Sequence, residues 1–321
     1  ICWVERYMNQ TAFKKMLDRP RPLLLDGGLA TQLEAQGCDI NNPLWSASLL
    51  RTDPDEIVAA SRAYLDAGAE CIATASYQAS RRGFEALGLS AEEADRLMLL
   101  SVDLANRARD DFRAENGGSD VTPIVAASIG PYGAILHDGS EYTGDYSISE
   151  AALREFHVER LHLFDASNAD VLALETIPSM AEAKVLAELL RDCSTPAWVS
   201  FSCRDGECIS DGTPIEDVAS LFVDHPSVLA VGINCTPPQY AVSLIGRIRR
   251  VLGDTAIIAY PNSGEHYNAD DGSWSGTVSP LDCGVAAGDW IDAGAHIVGG
   301  CCRMGPAHIR AMARRIEEKF E

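Results

Sequence analysis

Two neighbouring cysteines near the end of the chain are its most unusual chemical feature. Cys301 and Cys302 follow two glycines in the segment GGCCRMGP, residues 299–306. Adjacent side chains in a regular strand point to opposite faces of the sheet, so two thiols can act on one object only where the strand has ended. Gly299 and Gly300 allow the backbone to turn at that point. The pair is therefore predicted to lie just beyond a strand.

A third cysteine ends another apolar run. Cys235 is the last residue of VLAVGINC, residues 228–235. Three thiolates with one open position are the pattern of a catalytic zinc site, so Cys235, Cys301 and Cys302 are candidate ligands of Zn²⁺. Because the spacing is not that of a zinc finger, two other interpretations stay open. Cys235 is equally compatible with a buried core thiol, and the adjacent pair with a redox switch.

Two carboxylates also end apolar runs. Asp26 lies in LLLDGG and Glu175 in LALETIP. Acidic side chains are rarely buried without a partner. Each carboxylate could instead cap a neighbouring backbone or pair with an arginine. Two of them at one rim favour a bound ammonium group, such as the amine of an amino acid.

Eight apolar runs bounded by turn residues are predicted to be β-strands. Several are almost continuously apolar, which is typical of parallel strands covered on both faces. The eight runs are residues 22–28, 69–77, 123–130, 170–176, 196–203, 228–235, 256–262 and 295–302.

Segments with helical periodicity separate the predicted strands. Residues 149–164, 240–252 and 306–320 place apolar side chains three or four positions apart. The segment TPIE, residues 213–216, is predicted to begin a helix as a capping box with Thr213 as its cap.

Eight strand–helix units favour an α/β fold of the (β/α)8 TIM-barrel type. An open doubly wound sheet is the alternative, but DGGLATQLE, which follows the first strand, lacks its glycine-rich turn. Residues 12–321 are predicted to form this one domain, and residues 1–11 a non-native or disordered extension. In a barrel the strands end on one face, where active sites of this fold lie. The candidate thiols and carboxylates would meet there.

Composition narrows the classes of partner. The chain has 321 residues and a formal net charge of -21, which disfavours binding to nucleic acid or to an anionic membrane surface. It has no run of about 20 apolar residues that could cross a membrane. Its ten cysteines are scattered, which favours a reducing cytoplasm over a disulfide framework. A cationic small molecule would suit this negative charge, and the oligomeric state stays open.

Several motifs, in order, resemble those of the homocysteine S-methyltransferase family. They are LLLDGGLATQLE, GSEYTGDY, LETIPS, GINCTPP, YPNSGEHY and GGCCRMGPAHI, from about residue 23 to the last helix. The resemblance is strongest to the branch that uses S-methylmethionine or S-adenosylmethionine as methyl donor. It implies a (β/α)8 barrel with one catalytic zinc that transfers a methyl group to the thiol of homocysteine and forms methionine.

The resemblance also assigns roles to individual residues. It implies zinc ligation by Cys235, Cys301 and Cys302, with Asn262, or less favourably Tyr77, near the substrate and filling the fourth position in its absence. It further implies that Asp26 and Glu175 bind the amine of homocysteine, and that the backbone at Gly27 and Gly28 holds its carboxylate.

The acidic segment HDGSEYTGDYS, residues 137–147, is predicted to form part of a lid near the donor. Glu141 and Asp145 would supply negative charge, and Tyr142 or Tyr146 a cation–π face. A solvated acidic loop is the alternative interpretation.

Two other functions remain open. A methyltransferase with another acceptor, such as selenocysteine, would use the same ligands. A redox protein with a Cys301–Cys302 disulfide would need no metal.

Overall fold

Eight parallel strands form the centre of the structure, which is a computed structural model that describes residues 12–40, 45–117, 122–136, 138–264, 266–268, 273–275 and 279–321. The barrel strands are β1 (Leu23–Leu24), β2 (Cys71–Ala73), β3 (Ile124–Ile129), β4 (Val171–Ile177), β5 (Ala197–Phe201), β6 (Val228–Asn234), β7 (Ala256–Tyr260) and β10 (Ile297–Val298). Strands β8 (His266–Asn268) and β9 (Ser273–Ser275) form a separate antiparallel pair.

Helices connect the strands in the manner of a (β/α)8 barrel. They are α1 (12–17), α2 (Leu29–Ala35), α3 (Leu49–Thr52), α4 (Pro54–Leu65), α5 (Arg81–Glu85), α6 (Ala91–Glu115), α7 (Glu150–Asp165), α8 (Met180–Leu189), α9 (Ile215–Ala219), α10 (Ala241–Leu252), α11 (Pro280–Asp292) and α12 (Pro306–Phe320). All eight predicted strands and the three helices predicted from periodicity are confirmed. Residues 1–11 lie outside the described residues, so the domain division stays a prediction.

Hydrogen bonding closes the ring of strands. The pairing order is β1-β10-β7-β6-β5-β4-β3-β2, and a single parallel bridge between Leu25 and Cys71 joins the two ends. A side chain extends this short junction. The Asp26 amide donates to the Cys71 carbonyl over 3.0 Å, and the Ala73 amide donates to Asp26 Oδ2 over 2.7 Å. We call these contacts the β1–β2 seam.

The barrel interior is filled by apolar side chains, of which Trp198 is the largest. Trp198 is 2% exposed and packs with buried residues such as Ala126 and Ala230. Helix α1 precedes β1 and closes the end where the strands begin, with Phe13 and Met16 buried against this core. The Phe13 and Trp198 rings lie 6.1 Å apart. That end of the barrel is therefore filled with side chains. An active site is expected at the opposite rim, where the strands end.

The helices pack around the barrel through a second, larger apolar core. In the described part of the chain we find no helix with an apolar stretch long enough to cross a membrane.

Candidate metal centre and substrate site

The three candidate ligands converge at the rim where the strands end. Cys235 follows β6, and Cys301 and Cys302 follow β10. Their sulfur atoms all lie within 4.8 Å of one another, and Cys235 Sγ is 3.5 Å from Cys302 Sγ. Among the described residues this is the one cluster with the composition of a metal site. The predicted approach of Cys235 to the adjacent pair is confirmed.

Two of the three thiols are joined in this structure. The disulfide links Cys235 to Cys301, and Cys302 stays free. The redox interpretation placed the bond between Cys301 and Cys302, so that pairing is wrong.

The donor set also fits a metal. A tetrahedral zinc with bonds of about 2.3 Å to sulfur holds its ligands roughly 3.8 Å apart. Once reduced, three sulfurs already this close could reach such positions by small side-chain rotations.

Strand β7 fixes the backbone on both sides of the cluster. The Cys235 amide donates to the Tyr260 carbonyl over 3.3 Å, and the Cys301 amide donates to the Pro261 carbonyl over 2.9 Å. The Ser263 amide donates to the Cys302 carbonyl over 3.2 Å. One segment, 260–263, therefore holds the ligands from both strand ends at a set distance.

An asparagine joins the cysteine cluster to one of the carboxylates. Asn234 Oδ1 accepts from the Thr176 amide and its Nδ2 donates to Thr176 Oγ1, both over 2.7 Å. Thr176 and Cys235 both have left-handed backbones, with φ of 63° and 45°. Such a conformation is costly for a residue with a side chain and must be held by its surroundings. The Asn234 amide does this for Thr176, directly after Glu175.

Asp26 is buried next to Glu175. Its side chain is 7% exposed and accepts one hydrogen bond, from the Ala73 amide. Burial, opposed in part by that bond and reinforced by the charge of Glu175, raises the pKa of Asp26 to about 8. Among the described residues no cation stabilises this carboxylate.

Glu175 is held by neutral donors. The Ser128 hydroxyl donates to Oε1, and the Tyr260 hydroxyl donates to Oε2 over 2.9 Å. The Trp198 indole in turn donates to the Tyr260 oxygen over 3.1 Å. Burial raises the pKa of Glu175 in spite of these bonds.

Neither carboxylate forms an ion pair with an arginine or lysine among the described residues. The alternative of arginine pairing is therefore wrong for this pair, and an ammonium group would supply the missing charge.

The glycine turn after Asp26 lies close to the last ligand segment. A side chain on Gly27 would collide with the Met304 carbonyl oxygen. The Gly28 amide donates to that same oxygen over 3.0 Å, so this amide already has a hydrogen-bond partner. Any role of this turn in holding a carboxylate falls to the Gly27 amide and to the first amides of α2.

Of the two candidates for a fourth ligand, Asn262 lies beside the cluster and Tyr77 lies near Tyr142 and Glu175. The Asn262 amide donates to the Thr236 carbonyl over 3.2 Å, and its Oδ1 accepts from the Gly264 amide over 2.9 Å. Burial raises the pKa of the Tyr77 phenol well above its usual value, as do the neighbouring Tyr142 and Glu141. Ligation by either residue stays a prediction.

The predicted lid divides into two halves; His137 lies outside the described residues. Glu141 and Tyr142 belong to the half that reaches the cysteine cluster. Tyr142 hydrogen-bonds Cys302, which opposes the effect of burial that raises the pKa of that thiol to about 11.

The other half of the segment does not reach the cluster. Asp145 is exposed. Tyr146 turns inward, donates to Glu182 over 2.9 Å and packs on the Tyr132 ring at 5.6 Å. A cation–π role for Tyr146 is therefore not supported by its position.

Glu182 anchors this loop, and sequence reasoning did not single it out. It is fully buried and accepts from the Tyr132 amide over 2.7 Å and from the Tyr146 hydroxyl. Its Oε1 also lies 2.7 Å from Nε2 of the buried His157. Tyr132, which precedes the segment, and Tyr146, near its end, are thus both tied to one carboxylate in α8. The only signal in the sequence was an acid within an apolar helix.

Fold and site together define a class. The barrel gathers three cysteines where its strands end, with two carboxylates that have no cationic partner in the described part of the chain. This is the construction of a barrel enzyme with a thiolate metal centre. The sequence model of the family described as homocysteine S-methyltransferase matches residues 23–316. The chain belongs to the homocysteine S-methyltransferase family, and the predicted resemblance is confirmed.

Relatives cover almost the whole chain. The homocysteine S-methyltransferase YbgG of Bacillus subtilis is 48% identical over 301 residues, which is 93% of this chain and 95% of that protein. The homocysteine methyltransferase MmuM of Escherichia coli has been solved in a metallated form, with a TM-score of 0.85, 41% identity and coverage of 95% of this chain and 99% of that one. Its oxidised form also has a TM-score of 0.85, at 42% identity and with 96% and 99% coverage.

Proposed function

We propose that the protein transfers a methyl group from a sulfonium donor, S-methylmethionine or S-adenosylmethionine, to the thiol of homocysteine and so forms methionine. The observation that carries this proposal is one rim that combines three converging cysteines with two carboxylates lacking a cationic partner. An amino acid with a thiol on its side chain complements both features. Membership in the family supports the same assignment.

The acceptor would be gripped at two points. Asp26 and Glu175 bind its ammonium group, which compensates their burial, and the Gly27 amide is available for its carboxylate. The thiol then extends toward Cys235, Cys301 and Cys302. Selenocysteine would present the same groups, so the acceptor must be settled by assay.

The three cysteines are proposed to hold zinc, with Asn262 or Tyr77 as a fourth ligand before the substrate binds. When bound, zinc would supply the Lewis acidity that ionises the acceptor thiol, which is only a few per cent thiolate at neutral pH when free. Full ionisation would be worth about 30-fold, or roughly 2 kcal/mol.

The protein's own groups do more by positioning. Holding two reactants in line can supply about 7–11 kcal/mol. Trp198, Tyr260 and Ser128 fix Glu175, and Asn234 joins the strand of Glu175 to that of Cys235. This rigid frame sets the distance between the amine and the sulfur of the acceptor.

We further propose that residues 12–321 act as one catalytic domain and that the protein works in the cytoplasm. A three-thiolate site requires reduced cysteines, which a reducing compartment maintains.

The decisive experiment measures methionine formation by reduced, zinc-loaded protein, with S-methylmethionine and S-adenosylmethionine offered in parallel. We expect turnover with at least one donor and about one zinc per chain. Cys302→Ser should lose both metal and turnover. Cys208→Ser removes a free thiol outside the cluster and should keep both. A protein that binds no metal and methylates homocysteine with neither donor would contradict the proposal.

A further inference from the structure

We propose that Glu141 recognises the positive charge of the methyl donor and thereby selects sulfonium compounds. This inference rests on the proposed function and adds a residue that determines donor specificity.

The backbone of Glu141 is held in place on the rim. It lies in the short 3-10 turn Ser140–Tyr142, and its carbonyl accepts from the Ser202 hydroxyl over 3.2 Å. A side chain at Gly133 would collide with the Glu141 amide, so the turn lies directly against the loop after β3. These contacts fix the direction in which the side chain leaves the loop.

The carboxylate of Glu141 has no counter-charge among the described residues. Its Oε2 is buried and has no hydrogen-bond partner in the same part of the chain. Burial raises the pKa of Glu141, a hydrogen bond from its own backbone amide opposes this in part, and the neighbouring carboxylate of Asp138 raises the pKa further. A buried acid in this state is unfavourable unless a cation approaches.

The position of Glu141 connects it to the reacting centre. Its charge acts on both Cys302 and Tyr77, and the next residue, Tyr142, hydrogen-bonds Cys302. Asp26 and Glu175 approach the site from the strands, whereas Glu141 approaches from the loop. Since the first two are assigned to the acceptor amine, a second cation is needed for Glu141, and the donor sulfonium is the cation that the reaction requires.

The chemistry predicts how Glu141 should act. The acceptor thiolate forms a new bond to the methyl carbon with its own electron pair. The donor carbon–sulfur bond breaks, its electron pair stays on sulfur, and the sulfonium becomes a neutral thioether. The acceptor proton has already been lost to solvent. Because positive charge disappears from the donor along this path, a carboxylate beside it stabilises the bound donor more than the transition state.

Glu141→Gln should therefore raise the KM of the donor without lowering kcat. We expect a rise of about tenfold, the scale of a charge-assisted contact, while the KM of homocysteine changes less than about twofold. Glu150→Gln is the matched control, because it removes the same charge from an exposed position at the start of α7. It should leave both constants unchanged.

A binding measurement separates charge from shape. Trimethylsulfonium is the charged probe and dimethyl sulfide, an uncharged thioether, is its counterpart. We expect Glu141→Gln to weaken inhibition by trimethylsulfonium about tenfold and to leave inhibition by dimethyl sulfide unchanged. An unaltered donor KM, or equal weakening of both inhibitors, would overturn the role of Glu141 while the wild type still makes methionine. A wild type that makes none would overturn the proposed function instead.

Discussion

Asp26 shows how a residue proposed to bind substrate can oppose the stability of the protein that contains it. Its carboxylate is buried, the charge of Glu175 disfavours its ionisation further, and no cation among the described residues pairs with it. The folded protein therefore favours the protonated form, whereas the unfolded chain ionises at the ordinary pKa. Asp26 stabilises the fold fully below that ordinary pKa, and this stability is lost as the pH rises toward the folded pKa of about 8.

We predict that Asp26→Asn makes the free protein more stable relative to wild type at pH 8 than at pH 5. Asparagine keeps an oxygen for the Ala73 amide but does not titrate. The difference between the two pH values should be on the order of a few kcal/mol. Urea unfolding of both proteins, metal-free and reduced, measures it. If the free energy of unfolding of the variant differed from that of the wild type by the same amount at both pH values, the prediction would be refuted. The variant should also bind homocysteine poorly.

At the scale of elements, the loop between β3 and α7 depends on α8. The fully buried Glu182 receives hydrogen bonds from both ends of this loop, through the Tyr132 amide and the Tyr146 hydroxyl. Glu141 and Tyr142 lie between these two anchors. The order of the residues proposed to face the donor is thus determined by a carboxylate on a different helix.

We predict that Tyr146→Phe lowers stability by about 1–3 kcal/mol, because it leaves a buried oxygen of Glu182 without its partner. The donor KM should also rise while the homocysteine KM stays constant. Thermal unfolding and steady-state kinetics test the two effects. Tyr132→Phe is the control, because Tyr132 contacts Glu182 through its backbone and its hydroxyl accepts from Arg82 instead. Equal effects in both variants would count against the anchoring role.

The sequence predicts the strands and the residues that end them, but it does not predict how distant elements support the site. Continuous apolar runs predicted all eight strands, and the polar residues that end them indicated Asp26, Glu175 and the three cysteines. The roles of Tyr260 and Glu182 depend on partners far away in the chain, and their local sequences are those of a core strand and a helix. The periodicity of a sequence does not show which distant residues Tyr260 and Glu182 will contact.

The predicted capping box at Thr213 is wrong for a related reason. Helix α9 begins at Ile215 with Pro214 as its cap residue, and no side chain caps it. The Ile215 amide donates instead to the Glu207 carbonyl over 3.0 Å, within a local backbone pairing that joins Cys208 to Pro214. A true capping box is formed by Ser90 and Glu93 at the start of α6. Local motifs of this kind compete with backbone pairing that the sequence does not reveal.

For the whole molecule, the cysteine cluster is a link between distant parts of the barrel. Cys235 and Cys301 are 66 residues apart and end strands that flank β7. A metal bound to all three cysteines would join these ends in the folded state only, and so would favour folding.

We predict that zinc raises the melting temperature of the reduced protein by several degrees, which corresponds to a few kcal/mol. Cys302→Ser should show little of this increase. The oxidised protein, with Cys235 and Cys301 joined, should not respond to zinc until a reductant is added. Thermal scans with and without zinc provide the measurement. A similar increase in Cys302→Ser would show that the metal binds elsewhere.

The β1–β2 seam has a consequence for redesign of this enzyme. The ring is completed there by one backbone bridge and by the side chain of Asp26, which is also proposed to bind the acceptor amine. A variant that accepts thiols without an amine would need an apolar residue in place of Asp26. That substitution would also remove the hydrogen bond from the Ala73 amide that helps to close the barrel. A change of substrate specificity therefore has to begin with a new contact that replaces Asp26 in the β1–β2 seam. Only then can the substrate pocket be altered.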